Sequence, residues 1–416
     1  KAHGGGACHD RAPRLPKLGR FAASGAVNRP NFMLDASPRT RLARHRARGD
    51  TSPMPTRPET PDDQLLRRRI VFLRDPIDDG VSNQTVARLL YLQTQDPERD
   101  ILLCINSPGG SVTATLAIHD VVAALRCDVA THVMGQAAAG ACLIAAAGAK
   151  GKRTATPNAR LMVHQPWGYT DLGATPEERA TFREEIGRMK KAVRDIFVRH
   201  TRQPEAVIQR ELEEDRFVSA AEAEKLGIID RLVPPRARAA AKGPRPAEKR
   251  VVRIEGDVDD ACANEVVIKL LALEDSGPGE EVCLEIDSGG GSVTASLMLY
   301  DVLRQLACPV ATLATGEAQG TACLLLAAGD RSRRFARAHA RIGYAYVFGG
   351  TEADPDIEIQ VEEIKRLRST LWDAFATHTG RTGREIAAEF DTGKVLSPEQ
   401  ARAQGLIDAI IAEGDA

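Results

Sequence analysis

The chain has 416 residues, 43% of them hydrophobic and 27% charged, with a formal net charge of −1. That length leaves room for two cores of ordinary domain size, and the near-zero charge removes any electrostatic argument for nucleic acid or a membrane surface as a partner. Eight cysteines form no Cys-x-x-Cys pair or zinc-like cluster and sit mostly in apolar runs, so reduced buried thiols are expected, with no metal or other cofactor.

Residues 1–60 are rich in Arg, Pro and Gly and poor in acids. Such a segment buries too little apolar surface to order itself, so a disordered basic tail is expected, and Met54 offers a shorter start. The longest apolar run, Ala137 to Ala149, is too short and too glycine-rich to span a bilayer, and no signal-peptide pattern opens the chain. A soluble, cytoplasmic protein is the expectation. A strand is predicted over 69–73 and an amphipathic helix over 81–93, with Val86, Leu89, Leu90 and Leu92 on its apolar face. A continuous apolar strand, Ile101 to Ile105, runs into a Ser-Pro-Gly-Gly turn; a helix over 114–125, a strand over 129–133 and a helix over 136–147 follow. This alternation predicts an α/β fold with a mainly parallel sheet and right-handed crossovers. A long helix over about 176–200 has apolar residues on more than one side, the pattern of a handle that projects and packs against another subunit. Residues 234–250, rich in Pro, Ala, Lys and Arg, read as a linker.

Beyond the linker the pattern begins again. Ile105 to Thr113 returns as Ile286 to Thr294, and the spacing that separates Gly109 from Gly290 also separates Cys142 from Cys323. A spacing three residues shorter links His200 to His378 and Phe217-Val218-Ser219 to Val395-Leu396-Ser397. The period is far too long for a solenoid, so each copy is a whole domain. The expected division is a tail (1–60), a first domain (61–233), a linker (234–250) and a second domain (251–416), whose own handle helix covers about 354–378.

Several pieces then carry a resemblance. They are Asp96-Pro97-Glu98-Arg99-Asp100, the Ile105 to Thr113 turn, Gly135-Gln136-Ala137-Ala138, Gly148 to Arg153, Met162-Val163-His164-Gln165-Pro166 and Asp215-Arg216-Phe217-Val218-Ser219. In this order the first copy resembles the proteolytic subunit of Clp protease, a ring-forming serine peptidase of the crotonase-like fold. The second copy is similar through its glycine turn, Ala327-Ala328-Gly329, Leu396-Ser397-Pro398 and Gly405 to Asp408. The resemblance implies a Ser-His-Asp triad, in which an imidazole takes the serine proton, a carboxylate orients that imidazole, and two backbone N–H groups face the developing oxyanion. Carried over, the base is His164, the orienting carboxylate Asp215, and the oxyanion donors Gly109 and Gly140. The nucleophile position holds Ala139, and a methyl group forms no acyl-enzyme. In the second copy the three positions are Gly320, Ala345 and Gly393, so the whole triad is lost.

Other candidates weigh less. Cys142 has an exact mate in Cys323, where no base exists, and reads as core. Ser107 and Ser111 read as turn hydroxyls, and His200 and His378 as caps at a helix end. The family docks an ATP-driven AAA+ unfoldase in apolar clefts; the corresponding places hold Leu102 and Cys104 in the first copy but Cys283 and Glu285 in the second, so docking is expected through the first domain alone. The function expected is a pseudo-protease acting as a structural or regulatory member of a Clp-like ring, as a homo-oligomer or with single-domain Clp proteolytic subunits. The alternative is an ATP-dependent serine endopeptidase working through the first domain, with Ala139 an inactivating substitution; an acyl-CoA enzyme of the crotonase type is a third reading.

Overall fold

A computed structural model describes residues 59–168, 175–214, 216–236, 250–344 and 357–411. The predicted tail therefore lies outside the described residues apart from its last two positions, and so does the middle of the linker.

The first copy runs α1 (Pro61–Arg67), β1 (Ile70–Leu73), α2 (Asp79–Gln95), β2 (Ile101–Ser107), α3 (Val112–Ala124), β3 (Val129–Ala138), α4 (Gly140–Ala147), β4 (Arg153–Ala155), β5 (Arg160–Met162), α5 (Pro176–Thr201), α6 (Glu205–Glu213), β6 (Phe217–Ser219), α7 (Ala220–Lys225) and β7 (Arg231–Leu232). The second runs β8 (Val251–Glu255), α8 (Asp260–Ser276), β9 (Val282–Ser288), α9 (Val293–Gln305), β10 (Val310–Gln319), α10 (Thr321–Ala327), β11 (Arg334–Arg337), β12 (Arg341–Gly343), α11 (Ile357–Thr379), α12 (Gly383–Thr392), β13 (Val395–Leu396), α13 (Pro398–Ala403) and β14 (Ala409–Ile411). The fold is α/β, written twice. In each sheet the core strands are parallel, and one short strand, β6 or β13, returns antiparallel. The same caps start the same helices: Asp78 and Asp259 accept from the first turns of α2 and α8, and Ser111 and Ser292 from those of α3 and α9. In the long α5 no residue before Val193 is fully buried, as expected of a handle.

One predicted boundary is corrected. The helix expected from Gln136 begins at Gly140, and 136–138 continue β3. Gly135 (φ +74°) turns the backbone there, and the Asn106 side-chain oxygen accepts the Gln136 N–H at 3.1 Å, holding a register shift between β2 and β3. The strand then resumes against β5. Asp287 holds Glu317 N–H in the same way at 2.9 Å in the second copy.

The faces of the first sheet have different occupants. Val71, Leu73, Leu103, Ile105 and Val133 pack into the first copy's own core, whereas Phe72, Cys104 and Met134 join the core of the second copy. There α9 lies on β3 and α1 on α8. Cys104, expected in an unfoldase cleft, is thus buried in this internal joint. Glu285, its counterpart, pairs with Arg253 at 2.7 Å. Polar pairs fix the joint's register: Asn106 Nδ2 donates to Asn264 Oδ1 (2.8 Å), Gln136 Nε2 to Asp260 Oδ2 (3.4 Å), and Arg160 pairs with Glu363 (3.4 Å). Asn158 donates its backbone N–H and its side-chain amide to the two oxygens of Asp301, at 2.8 and 2.6 Å.

Burial raises the Asp301 carboxyl to about 6, although both Asn158 bonds favour the charged form. An acid with a raised folded pKa binds its proton more tightly folded than unfolded, so its contribution to stability grows as pH falls from about 7 toward the unfolded value. Lowering pH from 7 to 5 is expected to stabilise the chain against urea by about 1 kcal/mol from this group, part of a contribution that is complete only below the unfolded value. Asp301→Asn should flatten that pH dependence; an unchanged slope in the variant would contradict the assignment.

A second buried device recurs in both copies. Arg153, 1% exposed, grips Asp230 with two bonds (3.0 and 2.7 Å) and also donates to the carbonyls of Ala146 and His200. Arg334 grips Asp408 at the same two distances and donates to the Gly405 carbonyl. Each pair ties the strand after the fourth or tenth helix to the end of its copy.

Candidate active site

The elbow between β3 and α4 is strained. Ala139 sits there with φ 48° and ψ −116°, a conformation in which an L side chain crowds its own backbone. Its N–H donates to the Met162 carbonyl (3.0 Å), while its own carbonyl accepts from Cys142 and Leu143 in the first turn of α4. A sharp strand-to-helix turn of this kind lifts one side chain clear of the sheet, the requirement for an exposed nucleophile. Gly320 has the same conformation, φ 53° and ψ −121°, and the same bond, to the Gly343 carbonyl (2.9 Å). Glycine adopts these angles without steric strain; alanine does not.

A stability difference follows from that contrast. Relief of about 1–3 kcal/mol of local strain exceeds the roughly 0.5–1 kcal/mol that glycine adds in unfolded-chain entropy. Ala139→Gly is therefore expected to raise the urea midpoint by an amount equivalent to about 1 kcal/mol; a lower midpoint would show that the elbow is relaxed around the methyl group.

The Ala139 methyl faces a cavity of about 660 Å³ lined by Gly110, Gly140, His164, Leu116, Leu143, Met162, Val193 and Trp167, among others. Trp167 is 68% exposed at its edge. His164 lies just beyond β5, half-buried, and the β3–β5 pairing is what brings it to the elbow. Asp215 and Ala345, the expected carboxylate and the second copy's base position, lie outside the described residues. Gly393 is the left-handed cap of α12 (φ 60°).

The glycine turn presents its donors in an order the sequence did not disclose. Gly109 N–H donates to Ser107 Oγ (3.1 Å), which itself donates to the Asp75 carbonyl (2.7 Å). Gly110, absent from the expected set, lines the cavity, and its N–H has no acceptor among the described residues. Glycine is required at both places: a Cβ on Gly109 would strike the Ala138 carbonyl, and one on Gly110 the Ile77 carbonyl. Gly140 opens α4 with its N–H likewise unaccepted. A Cβ there would collide with Thr115 Oγ1. In the second copy the pair is exchanged, with Thr321 in place of Gly140 and Ser296 in place of Thr115, so bulk lost on one helix is supplied by its neighbour.

The remaining candidates find packing roles. Cys142 is fully buried, and burial pushes its thiol up to about 12, far from a thiolate at neutral pH. Ser111 caps α3. The His200 ring, expected to cap a helix end, instead meets His119, Nε2 to Nε2, at 3.3 Å. Burial first, then His119 and the cations Arg153 and Arg199, hold His200 down to about 4. His378 meets the Tyr300 hydroxyl (3.1 Å), and burial brings it down to about 3. Among the described residues no group of three metal-ligating side chains converges, and no helix is long and apolar enough to cross a membrane.

The Clp protease family model matches this chain twice, over residues 56–236 and again over 242–414. The chain belongs to the Clp protease family. It is a tandem duplication of the Clp protease domain, and the two sheets with their repeated caps, elbows and Arg–Asp grips are the two copies of that one domain.

Proposed function

We propose that this Clp protease homologue is a catalytically silent member of a Clp-type ring in the cytoplasm, with its working domains at 61–233 and 251–416. The observation that carries the reading is the elbow: the strained turn that aims a nucleophile is retained at Ala139, but what it aims is a methyl group. Around it the cavity keeps the other parts of acyl-transfer chemistry. Gly110, in place of Gly109, and Gly140 supply the two N–H donors an oxyanion needs, and His164 is the base, with Asp215, outside the described residues, its carboxylate by family resemblance alone. Without a hydroxyl to deprotonate, that base has no proton to move and the cavity holds a peptide without opening it. The second site, at Gly320, Ala345 and Gly393, is without all three side chains and serves as scaffold.

Retention of His164 in the cavity favours one second reading, in which the parent site is a live serine endopeptidase and Ala139 its inactivating substitution. Neither reading takes an unfoldase at Leu102 and Cys104, since that strand face is packed in the internal joint. The test is hydrolysis of a small fluorogenic peptide by the unmodified chain, with folding checked by circular dichroism. Release at the uncatalysed background rate is expected; turnover that a serine-directed acylating reagent leaves intact, and that His164→Ala removes, would overturn the silent-site reading.

A further inference from the structure

The cavity in front of Ala139 is lined by one group that can carry charge, and that group is a base, His164. No acid and no Lys or Arg joins it among the described lining residues. Two backbone donors come from different elements: Gly110 belongs to the glycine turn and Gly140 opens α4. Turn and elbow are in contact, since a Cβ placed on Gly109 would lie 3.0 Å from both the Ala139 methyl and the Gly140 nitrogen. Leu116, Leu143, Met162 and Val193 supply an apolar wall, and Ser111, Thr115 and Gln165 add polar groups.

We infer, on the silent-site reading above, that this cavity captures the free C-terminus of a peptide whose last side chain is apolar, its carboxylate shared between the Gly110 and Gly140 N–H groups and His164. A catalytic oxyanion hole serves a single oxygen, the one that becomes charged as a hydroxyl attacks. At Ala139 nothing attacks, so an internal peptide carbonyl brings only a neutral acceptor to donors arranged for an anion. A terminal carboxylate brings two oxygens and a full charge. One oxygen takes the N–H pair, and the other fills the place of the missing hydroxyl as acceptor for an imidazole N–H; such charge-assisted bonds are about twice as strong as neutral ones. The N-terminus of α4 adds a dipole of the right sign, and gathered backbone N–H groups are a recurrent means of holding a C-terminal carboxylate. The apolar wall then receives the last side chain. A volume of about 660 Å³ accommodates a small ligand of about two or three residues, and Ser111, Thr115 and Gln165 give a peptide backbone polar neighbours that an alkyl chain would leave unused. The second copy has Thr321 in place of Gly140 and Ala345 in place of the base, so one such site is expected in each chain.

Calorimetric titration of the unmodified full chain with acetyl-Ala-Ala-Leu as the free acid tests this, followed in parallel by the fluorescence of Trp167, which lines the cavity and is 68% exposed. One peptide is expected to bind per chain, at least about tenfold more tightly than the C-terminal amide of the same peptide or the free acid of acetyl-Ala-Ala-Asp. Octanoate, a carboxylate without a peptide backbone, should also bind at least about tenfold more weakly. His164→Ala should abolish the acid's advantage over the amide and leave the amide's affinity as it is, a change of ratio that misfolding does not produce; His164→Gln, which keeps an N–H donor, should retain part of the advantage. Acid and amide bound equally, or neither bound, with the peptide recovered uncut, would overturn capture of a C-terminus and leave the silent-site reading standing. Octanoate bound as tightly as the peptide acid would overturn the peptide as ligand. Peptide recovered cut would overturn the silent-site reading and the capture site with it.

Discussion

Replacing Ala139 with serine is expected to raise peptide hydrolysis at least on the order of a thousandfold over the parent chain. Removing the nucleophile from an intact triad costs about a millionfold in turnover, so restoring it to the site as proposed, with His164 the base and Gly110 and Gly140 the donors, should recover a large part of that factor. The geometry favours the exchange. The backbone at Ala139 already has the elbow angles, its N–H and carbonyl are both engaged, and the cavity in front of it is open. A serine there adds one oxygen and needs no new backbone conformation. His164→Ala in the serine form should return the rate to background, and Asp215→Asn should remove most of the gain, since loss of the orienting carboxylate costs up to about 10⁴ in serine peptidases. A folded, assembled serine form with no gain would show that the site has drifted beyond one residue, with the Gly140–Thr115 exchange the first place to look.

Cutting one of the buried Arg–Asp grips is expected to have the largest effect on stability. Asp230→Ala leaves the Arg153 guanidinium, 1% exposed, without its counter-charge and also removes the acceptor for the Gly151 and Arg153 N–H groups. Breaking such a pair by removing one partner costs about 3–5 kcal/mol, enough to unfold a domain of ordinary stability near physiological temperature. Arg153→Met with Asp230→Leu, which removes both charges, should recover much of the loss. The pH dependence has the opposite sign to that of Asp301. Burial pulls the Asp230 carboxyl up, but the bonds from Arg153 and Lys150 outweigh it and hold the group well below the usual carboxylate range. Its stabilisation is therefore complete above about pH 4, the unfolded value, and is lost as pH falls through the folded one. Urea midpoints for the three forms at pH 7 and pH 3 check both statements; a single variant as stable as the parent at pH 7 would contradict them.

What the sequence disclosed was local or repeated. The glycine turn and the alternation of strands and helices follow from short stretches, the turn read against its second copy, and the elbow residue from the family resemblance. The missed features depend on distant atoms. Gly135 reads as a break that should end β3, and only Asn106, in the preceding strand, shows why the strand continues. Gly109 and Gly110 are indistinguishable as letters; the Ser107 hydroxyl decides which N–H remains for the cavity. His200 looked like a cap because its partner, His119, lies on a helix far away in the chain. Asn158 gave no signal at all, since its function in the fold is to receive Asp301 of the other copy.

The apolar side chains Phe72, Cys104 and Met134 make each copy dependent on the other. The neighbour of that sheet face is covalently supplied, at a high effective concentration, and under that permanent cover the face serves as core. Separating the copies again, by a stop after residue 236 or a cut in the linker, would expose a hydrophobic strand surface with no charged gatekeeper, and the released half would aggregate before it found a partner. The covalent link thus keeps covered a face that has the composition of a core.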